Sequence, residues 1–268
     1  GDGTGIGTIT NDDTTVVTIA DISANENAGT QTITATLSNP VQGGFTFEVF
    51  TTDGTAKRSE NDYTSTFGTV NRPKFTFAGT AGETQTLQLL FGGKADTKVE
   101  ADENFTIGMD RLANTALSAT NIDISSVATF TILNDDTAYI SIEDVSGNED
   151  DGPLTLTATL DNPVDGGFKV NIVFTDGTAT TADNDYTTAS PVVLTFAGTA
   201  SETQTFTVTP TVDTKSEPDE FLYIGLSNLI ATIVTSNDVS TSDGATVTIL
   251  DDDIIPSAIT FADLGKTY

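Results

Sequence analysis

The chain has 268 residues, with 39 acidic side chains against 10 basic ones and a net charge of −29. Such a charge repels nucleic-acid phosphates and anionic lipid surfaces, so neither is an expected partner. There is no Cys, His or Trp, which removes disulfides, thiolate or imidazole metal sites and the usual proton shuttle. No apolar run approaches the ~20 residues of a membrane span, so no direct membrane insertion is expected.

In chain order, Gly1 to Thr10 is polar and Gly-rich, without a signal-peptide pattern. Residues 1–13 end in Thr8-Ile9-Thr10-Asn11-Asp12-Asp13 and read as the last strand of a preceding repeat. A first unit, 14–136, is expected to form strands near 15–21, 31–38, 45–52, 73–78, 84–91, 104–110 and 127–133. A second unit, 137–253, repeats the pattern near 138–144, 153–160, 168–175, 191–196, 203–209, 220–227 and 245–250. Residues 254–268 are a tail or the start of a following module.

The strand assignments rest on a period of two. Leu154, Leu156, Ala158 and Leu160 alternate with Thr155, Thr157 and Thr159, which puts the apolar set on one sheet face and the threonines on the other. Asn39-Pro40 and Asn162-Pro163, each followed by a Gly-Gly pair, punctuate turns. No stretch has a persuasive helical period. The expected class is all-β: two tandem, seven-stranded, antiparallel sandwiches of the immunoglobulin or fibronectin type.

The two units are copies. Asp53-Gly54-Thr55-Ala56 returns as Asp176-Gly177-Thr178-Ala179, and Asn61-Asp62-Tyr63 as Asn184-Asp185-Tyr186. Phe77 to Ala81 returns as Phe196 to Ala200, Glu83-Thr84-Gln85-Thr86 as Glu202 to Thr205, and Asp102-Glu103 as Asp219-Glu220. Both units close alike, on Asn134-Asp135-Asp136 and Asp251-Asp252-Asp253.

Acidic residues gather at four matching places: after the first strand, after the third, before the sixth and after the last. Strand direction in a sandwich brings these places to one end of each unit. Convergent carboxylates repel one another unless protonated or bound to a cation. A hard ion taking 6–8 oxygen ligands answers that need, which favours Ca²⁺ over Mg²⁺ or zinc. Asp102, Asp150, Asp151 and Asp219 are expected to be solvated loop charges, Asp62 and Asp185 turn formers, and Tyr63 and Tyr186 packing anchors.

The ordered set Asp-Gly-Thr-Ala, Asn-Asp-Tyr, Glu-Thr-Gln, Asp-Glu-Asn-Phe and Ile-Leu-Asn-Asp-Asp resembles the Calx-β module of sodium–calcium exchangers and repetitive bacterial surface proteins. The resemblance covers both units nearly end to end. It implies calcium ligands at Glu26, Asp53, Asp96, Glu100, Glu103, Asp135 and Asp136, with Asn134 beside them. In the second unit it implies Glu149, Asp176, Asp213, Glu217, Glu220, Asp251, Asp252 and Asp253. Lys98 and Lys215 fall where the family offers a backbone carbonyl. Ala95 and Val212 stand where well-occupied sensor members carry a further aspartate, which implies fewer ions or weaker binding.

No nucleophile with a base and no Gly-x-Ser-x-Gly elbow is present. Carboxylate pairs suited to glycoside hydrolysis occur twice, at module edges, so no enzyme is expected. The expected function is a calcium-rigidified stalk or spacer in a large extracellular adhesin or filament on a bacterial surface, with neighbouring repeats as partners. The alternatives are a calcium-sensing regulatory module, or a module that binds a glycan or cell-surface receptor through loops 111–126 and 228–244.

Overall fold

The computed structural model of the chain describes residues 3–65, 72–92, 96–113 and 119–254. The chain divides into two compact units. The first is Gly1–Asp96 with Ala101–Asp135, and the second is Thr97–Glu100 with Asp136–Tyr268.

In the first unit the strands are β1 (Thr15–Ile19), β2 (Ile22–Asn25), β3 (Thr30–Leu37), β4 (Phe45–Asp53) and β5 (Thr64–Ser65). They continue as β6 (Lys74–Phe77), β7 (Thr84–Gly92), β8 (Glu103–Ala113), β9 (Ile122–Asp123) and β10 (Ala128–Leu133). One sheet has the order β5-β7-β3-β1-β9 and the other β2-β10-β8-β4-β6. The second unit repeats this with β11 (Ala138–Ile142), β12 (Val145–Asn148), β13 (Leu154–Leu160), β14 (Phe168–Asp176) and β15 (Tyr186–Thr188). It ends with β16 (Val192–Phe196), β17 (Thr203–Pro210), β18 (Glu220–Ala231), β19 (Val239–Ser240) and β20 (Gly244–Leu250). Its sheets run β15-β17-β13-β11-β19 and β12-β20-β18-β14-β16.

The class is all-β, but three expectations change in detail. The seven expected strands are present, and the expected first strand is two pieces in different sheets: β1 pairs with β3, whereas β2 pairs with β10. The switch is pinned by aspartate. Asp21 accepts the Thr129 amide at 2.7 Å, and Asp144 accepts the Thr246 amide at 2.7 Å. Short strands β5 and β9, with their counterparts β15 and β19, were hidden because two or three residues show no periodicity. The sheets are not purely antiparallel, since β1–β9, β2–β10, β11–β19 and β12–β20 are parallel pairs. Among the described residues there is no α-helix, only 3-10 turns at Ala119–Asn121 and Glu149–Asp151.

Alternation works as the sequence predicts. In β13, Leu154, Leu156, Ala158 and Leu160 are buried while Thr155 and Thr157 are exposed. Each unit has its own core. The first is aromatic: Phe47 is fully buried, with ring centroids 5.1 Å from Phe75 and 5.9 Å from Phe77. The second uses aliphatic residues at matching places, Val170 and Leu194.

The repeated Phe-Ala-Gly-Thr-Ala turn has a common anchor. Glu83 accepts the amides of Ala78, Gly79 and Thr80 at 2.9, 2.8 and 3.1 Å. Glu202 does the same for Ala197, Gly198 and Thr199. Partial burial pushes the Glu83 carboxyl up, but the three amides and the Gln85 side chain outweigh it and hold the group at about 2. Glu202→Gln is therefore expected to destabilise the second unit by about 1–3 kcal/mol, the usual cost of disturbing charge-assisted bonds to otherwise unpaired amides. Urea denaturation of the variant measures it, and an unchanged midpoint contradicts the anchor.

Candidate metal centre

The closing strand assembles the site. In the second unit β12 and β20 run parallel with Asn148 opposite Leu250, so Glu149 and Asp251 leave the sheet side by side. Pairing of β18 with β20 sets Glu220 opposite Ile249. Pairing of β15 with β17 sets Tyr186 opposite Pro210, which brings Asp185 to the residues leading into Asp213. Four distant chain segments thus meet at one end of the sandwich.

Two groups of carboxylates result. Glu149, Asp213 and Asp253 each offer an oxygen, all within 4.8 Å of one another. Asp185, Glu217 and Glu220 do likewise. Glu149, Asp185, Asp213, Glu217, Glu220 and Asp251 line one cavity of about 20 Å³, space on the order of a single water-sized sphere. Within it Glu149 Oε1 is a buried oxygen without a hydrogen-bond partner, as is the neighbouring Asp253 Oδ2. Burial, then the charges of Asp213, Asp253, Asp252 and Asp251, push the Glu149 carboxyl up to about 7. Burial and the charges of Asp251, Asp213 and Asp252 raise Asp253, and burial with Asp185 raises Glu220. Crowded carboxylates with orphaned oxygens are a donor set that a hard, oxygen-seeking cation fits.

Not every expected residue joins these groups. Asp176 accepts the Tyr186 hydroxyl at 2.5 Å and the Thr181 amide at 3.3 Å. Asp53 accepts the Tyr63 hydroxyl at 2.5 Å and Arg58 Nε at 3.0 Å. The Tyr63 hydroxyl and then the Arg58 guanidinium hold Asp53 below the usual carboxylate range, against the opposing effect of desolvation. Lys215 directs its ammonium at Glu217, so a cation there competes with an ion pair already made. Lys98 likewise pairs with Glu100 and lies 3.5 Å from Asp165. Asp252 is exposed.

In the first unit, Asp135 is engaged by the side-chain amides of Asn25 at 3.2 Å and Asn27 at 2.6 Å. The second unit has Asn148 and Asp150 at those places, which adds negative charge. Glu26 and Glu103 are half-buried and Asp96 is exposed. By the repeat, Glu26, Asp96 and Asp136 correspond to Glu149, Asp213 and Asp253. Ala95 lies outside the described residues, and Val212 is 58% exposed.

Two aspartates read as solvated charges have structural work. Asp102 accepts the Asn134 amide at 3.1 Å and Asp219 the Asp251 amide at 3.2 Å, so each ties the closing run to the loop before the sixth strand. Asp185 is the turn former expected, accepting the Thr180 amide at 2.7 Å, but it also faces the acidic cavity. The Asn-Asp-Tyr repeat supplied the signal. Asn184 adopts φ +68°, Asp185 closes the turn and Tyr186 is buried to 2% exposure, so the triplet has one fixed orientation.

Glu149 also sets a pH dependence. A carboxyl raised above its unfolded value favours folding fully below the unfolded value, and that contribution fades as pH rises through about 7. Without divalent cations, the second unit should melt higher at pH 6 than at pH 8. Glu149→Gln should flatten the trend. Scanning calorimetry in EDTA at both values checks it, and a rising Tm from pH 6 to 8 contradicts it.

The fold and the acidic end together define a class: tandem β-sandwich modules, each closing on a cluster of carboxylates. The model of the family described as "Calx-beta domain" matches residues 10–137 and again 134–253, and the chain belongs to that family. No curated protein matches. Among solved structures, the chain is similar to CBD12 from CALX1.2 at 17% identity, covering 87% of this chain and 99% of that one, with a TM-score of 0.36. It is similar to the apo-form Calx CBD1 domain at 24% identity, covering 44% of this chain and 100% of that one, with a TM-score of 0.37. A tetra-tandem repeat in the extending region of a large adhesion protein matches at 14% identity, over 88% of this chain and 49% of that one, with a TM-score of 0.36.

Proposed function

We propose that the chain is a non-catalytic, calcium-binding pair of repeats that serves as a stiffened spacer in a longer extracellular adhesin or filament of a bacterial surface. The observation that carries the calcium reading is the pair of buried, unpartnered oxygens, Glu149 Oε1 and Asp253 Oδ2, within an all-carboxylate group. Glu149, Asp213 and Asp253 would hold the ion, with Asp185, Glu217, Glu220 and Asp251 around the adjoining cavity. A bound divalent cation would cancel the mutual repulsion and tie the turn after β12, the loop before β18 and the end of β20 to one point. Those segments lie far apart in sequence, so binding restrains the whole end of the sandwich.

The spacer reading is supported by tandem family membership. Among the described residues no helix is long and apolar enough to cross a membrane. A regulatory sensor needs a second conformation, and no observation favours one. The receptor-binding alternative uses loop 111–126, of which residues 114–118 lie outside those described.

Titration calorimetry with calcium tests the site directly. Extracellular modules bind at roughly 10⁻⁴–10⁻³ M, and binding in that range or tighter is expected. The double variant Glu149→Gln/Asp213→Asn should lose the second unit's share of the heat. No heat at millimolar calcium, in a folded protein, overturns the metal reading.

A further inference from the structure

The second compact unit includes Thr97–Glu100, residues that the repeat pattern places outside it. Val99 is fully buried in that unit's core. Its amide donates to the Pro163 carbonyl at 2.9 Å, and the Asp165 amide donates to the Val99 carbonyl at 2.8 Å, forming a parallel β-bridge with Val164. The turn Pro163-Val164-Asp165 is thus a receptor for one extended, aliphatic-bearing segment.

The first unit carries the same receptor. Its turn is Pro40-Val41-Gln42, and Val41 is buried as Val164 is. The two turns are held alike. The Val41 amide donates to Gly79 O at 2.8 Å and the Val164 amide to Gly198 O at 2.9 Å. Gly79 at φ +95° and Gly198 at φ +90° come so close to these turns that an added Cβ would lie 2.0 and 1.9 Å from the valine carbonyls. What differs is the occupant. Among the described residues, neither the Pro40 carbonyl nor the Gln42 amide has a backbone partner. Pro40 and Gln42 are exposed where Pro163 and Asp165 are half-buried. A cavity of about 530 Å³ opens there, lined by Asn11, Asp13, Thr14, Pro40, Val41 and Gln42 among others.

The residues before this cavity identify the occupant. Asn11-Asp12-Asp13 repeats the closing run of a module, yet Ile9 is 99% exposed whereas its counterparts Ile132 and Ile249 are 8% and 6% exposed. Ile9 lies in no strand here, and the closing motif it belongs to, repeated at Ile132 and Ile249, points to a preceding repeat as its home.

We propose that the Pro40–Gln42 edge is the docking site for the loop before the sixth strand of a preceding Calx-β repeat. One aliphatic side chain would enter the cavity lined by Pro40, Val41 and Gln42, and a two-bond bridge would form to the Pro40 carbonyl and the Gln42 amide. The chemistry sets a selectivity. Ser216 stands where Val99 does, so the second unit of another copy of this chain lacks the aliphatic group. Gln42 replaces Asp165, so the partner does not need the lysine that Lys98 supplies. The proposal rests on the repeat-array part of the function above and not on the metal.

The test joins an extra copy of residues 14–133 directly ahead of Asn11 in the otherwise intact chain. Amide hydrogen exchange is then read at Gln42 and Asp165, in millimolar calcium and in EDTA. In the present chain Asp165 should exchange slowly and Gln42 fast. In the extended chain Gln42 should slow by about tenfold or more, and Val99→Ser in the added copy alone should return it to fast exchange. Val99→Ser in the present chain should speed Asp165, which shows that the probe reads the bridge. Fast exchange at Gln42 in the extended chain overturns the proposal, as does slow exchange that survives Val99→Ser in the added copy, or fast exchange at Asp165 in the present chain. Failure of the calcium reading would appear instead as identical melting in calcium and EDTA.

Discussion

Calcium at a hundredfold excess over its Kd should raise the melting temperature by about 10 °C over EDTA. An ion that binds only the folded form at a hundredfold excess over Kd adds about 2.7 kcal/mol, and each kcal/mol moves a domain of this size by roughly 4 °C. Asp213→Asn separates metal binding from ordinary packing through a reversal of sign. In calcium it should lower the melting temperature, because a ligand charge is lost. In EDTA it should raise it slightly, because the Asp213 charge contributes to holding the Glu149 carboxyl up at about 7. The substituted amide retains an oxygen that can accept the Lys215 amide, now held by Asp213 at 2.6 Å. Scanning calorimetry of both proteins in both buffers decides it. If Asp213→Asn destabilises equally in calcium and EDTA, the aspartate holds a loop and no metal.

The second large effect concerns the core. Phe47→Ala should cost the first unit about 3–5 kcal/mol, the range for emptying an aromatic core site. Phe47 is fully buried and stacked with Phe75 and Phe77, both also buried, so the cavity is lined by flat rings that collapse poorly. A domain's whole stability is about 5–15 kcal/mol, so the change removes a large share of it. Val170→Ala, at the matching place of the second unit, deletes a smaller group and should cost about 2 kcal/mol. Amide exchange resolved by unit measures both, and equal losses would mean that the aromatic stack contributes nothing beyond aliphatic packing.

These expectations also mark where sequence reasoning is strong. The alternation of Leu154, Leu156, Ala158 and Leu160 with threonines follows from backbone geometry alone, and β13 buries those residues. Repetition of Asn-Asp-Tyr and of the Gly-Gly turns carried the tandem organisation, because left-handed backbone at Asn61, Asn184 and the glycine pairs tolerates few residue types. The gathering of acidic residues at four matching places was legible too, since it needs only strand direction.

Partner choice was not legible. Asp53 and Asp176 are spaced like the other acidic positions, yet a tyrosine ten residues on claims each of them. Asp185 looks like a turn former and is one, and only the pairing of β15 with β17 turns it toward Glu217 and Glu220. Asp102 and Asp219 are ordinary loop acids until the closing strand sets an amide beside them. Val99 sits among charges in sequence and is buried in the second core. By itself, the sequence determined an all-β tandem array with acidic module ends. Tertiary structure alone decided which carboxylates share a cavity, where the first strand changes sheet and which turn receives Val99. The physical reason is reach: a period of two reports which face a residue occupies, whereas its neighbours across the sheet come from chain segments up to about a hundred residues away.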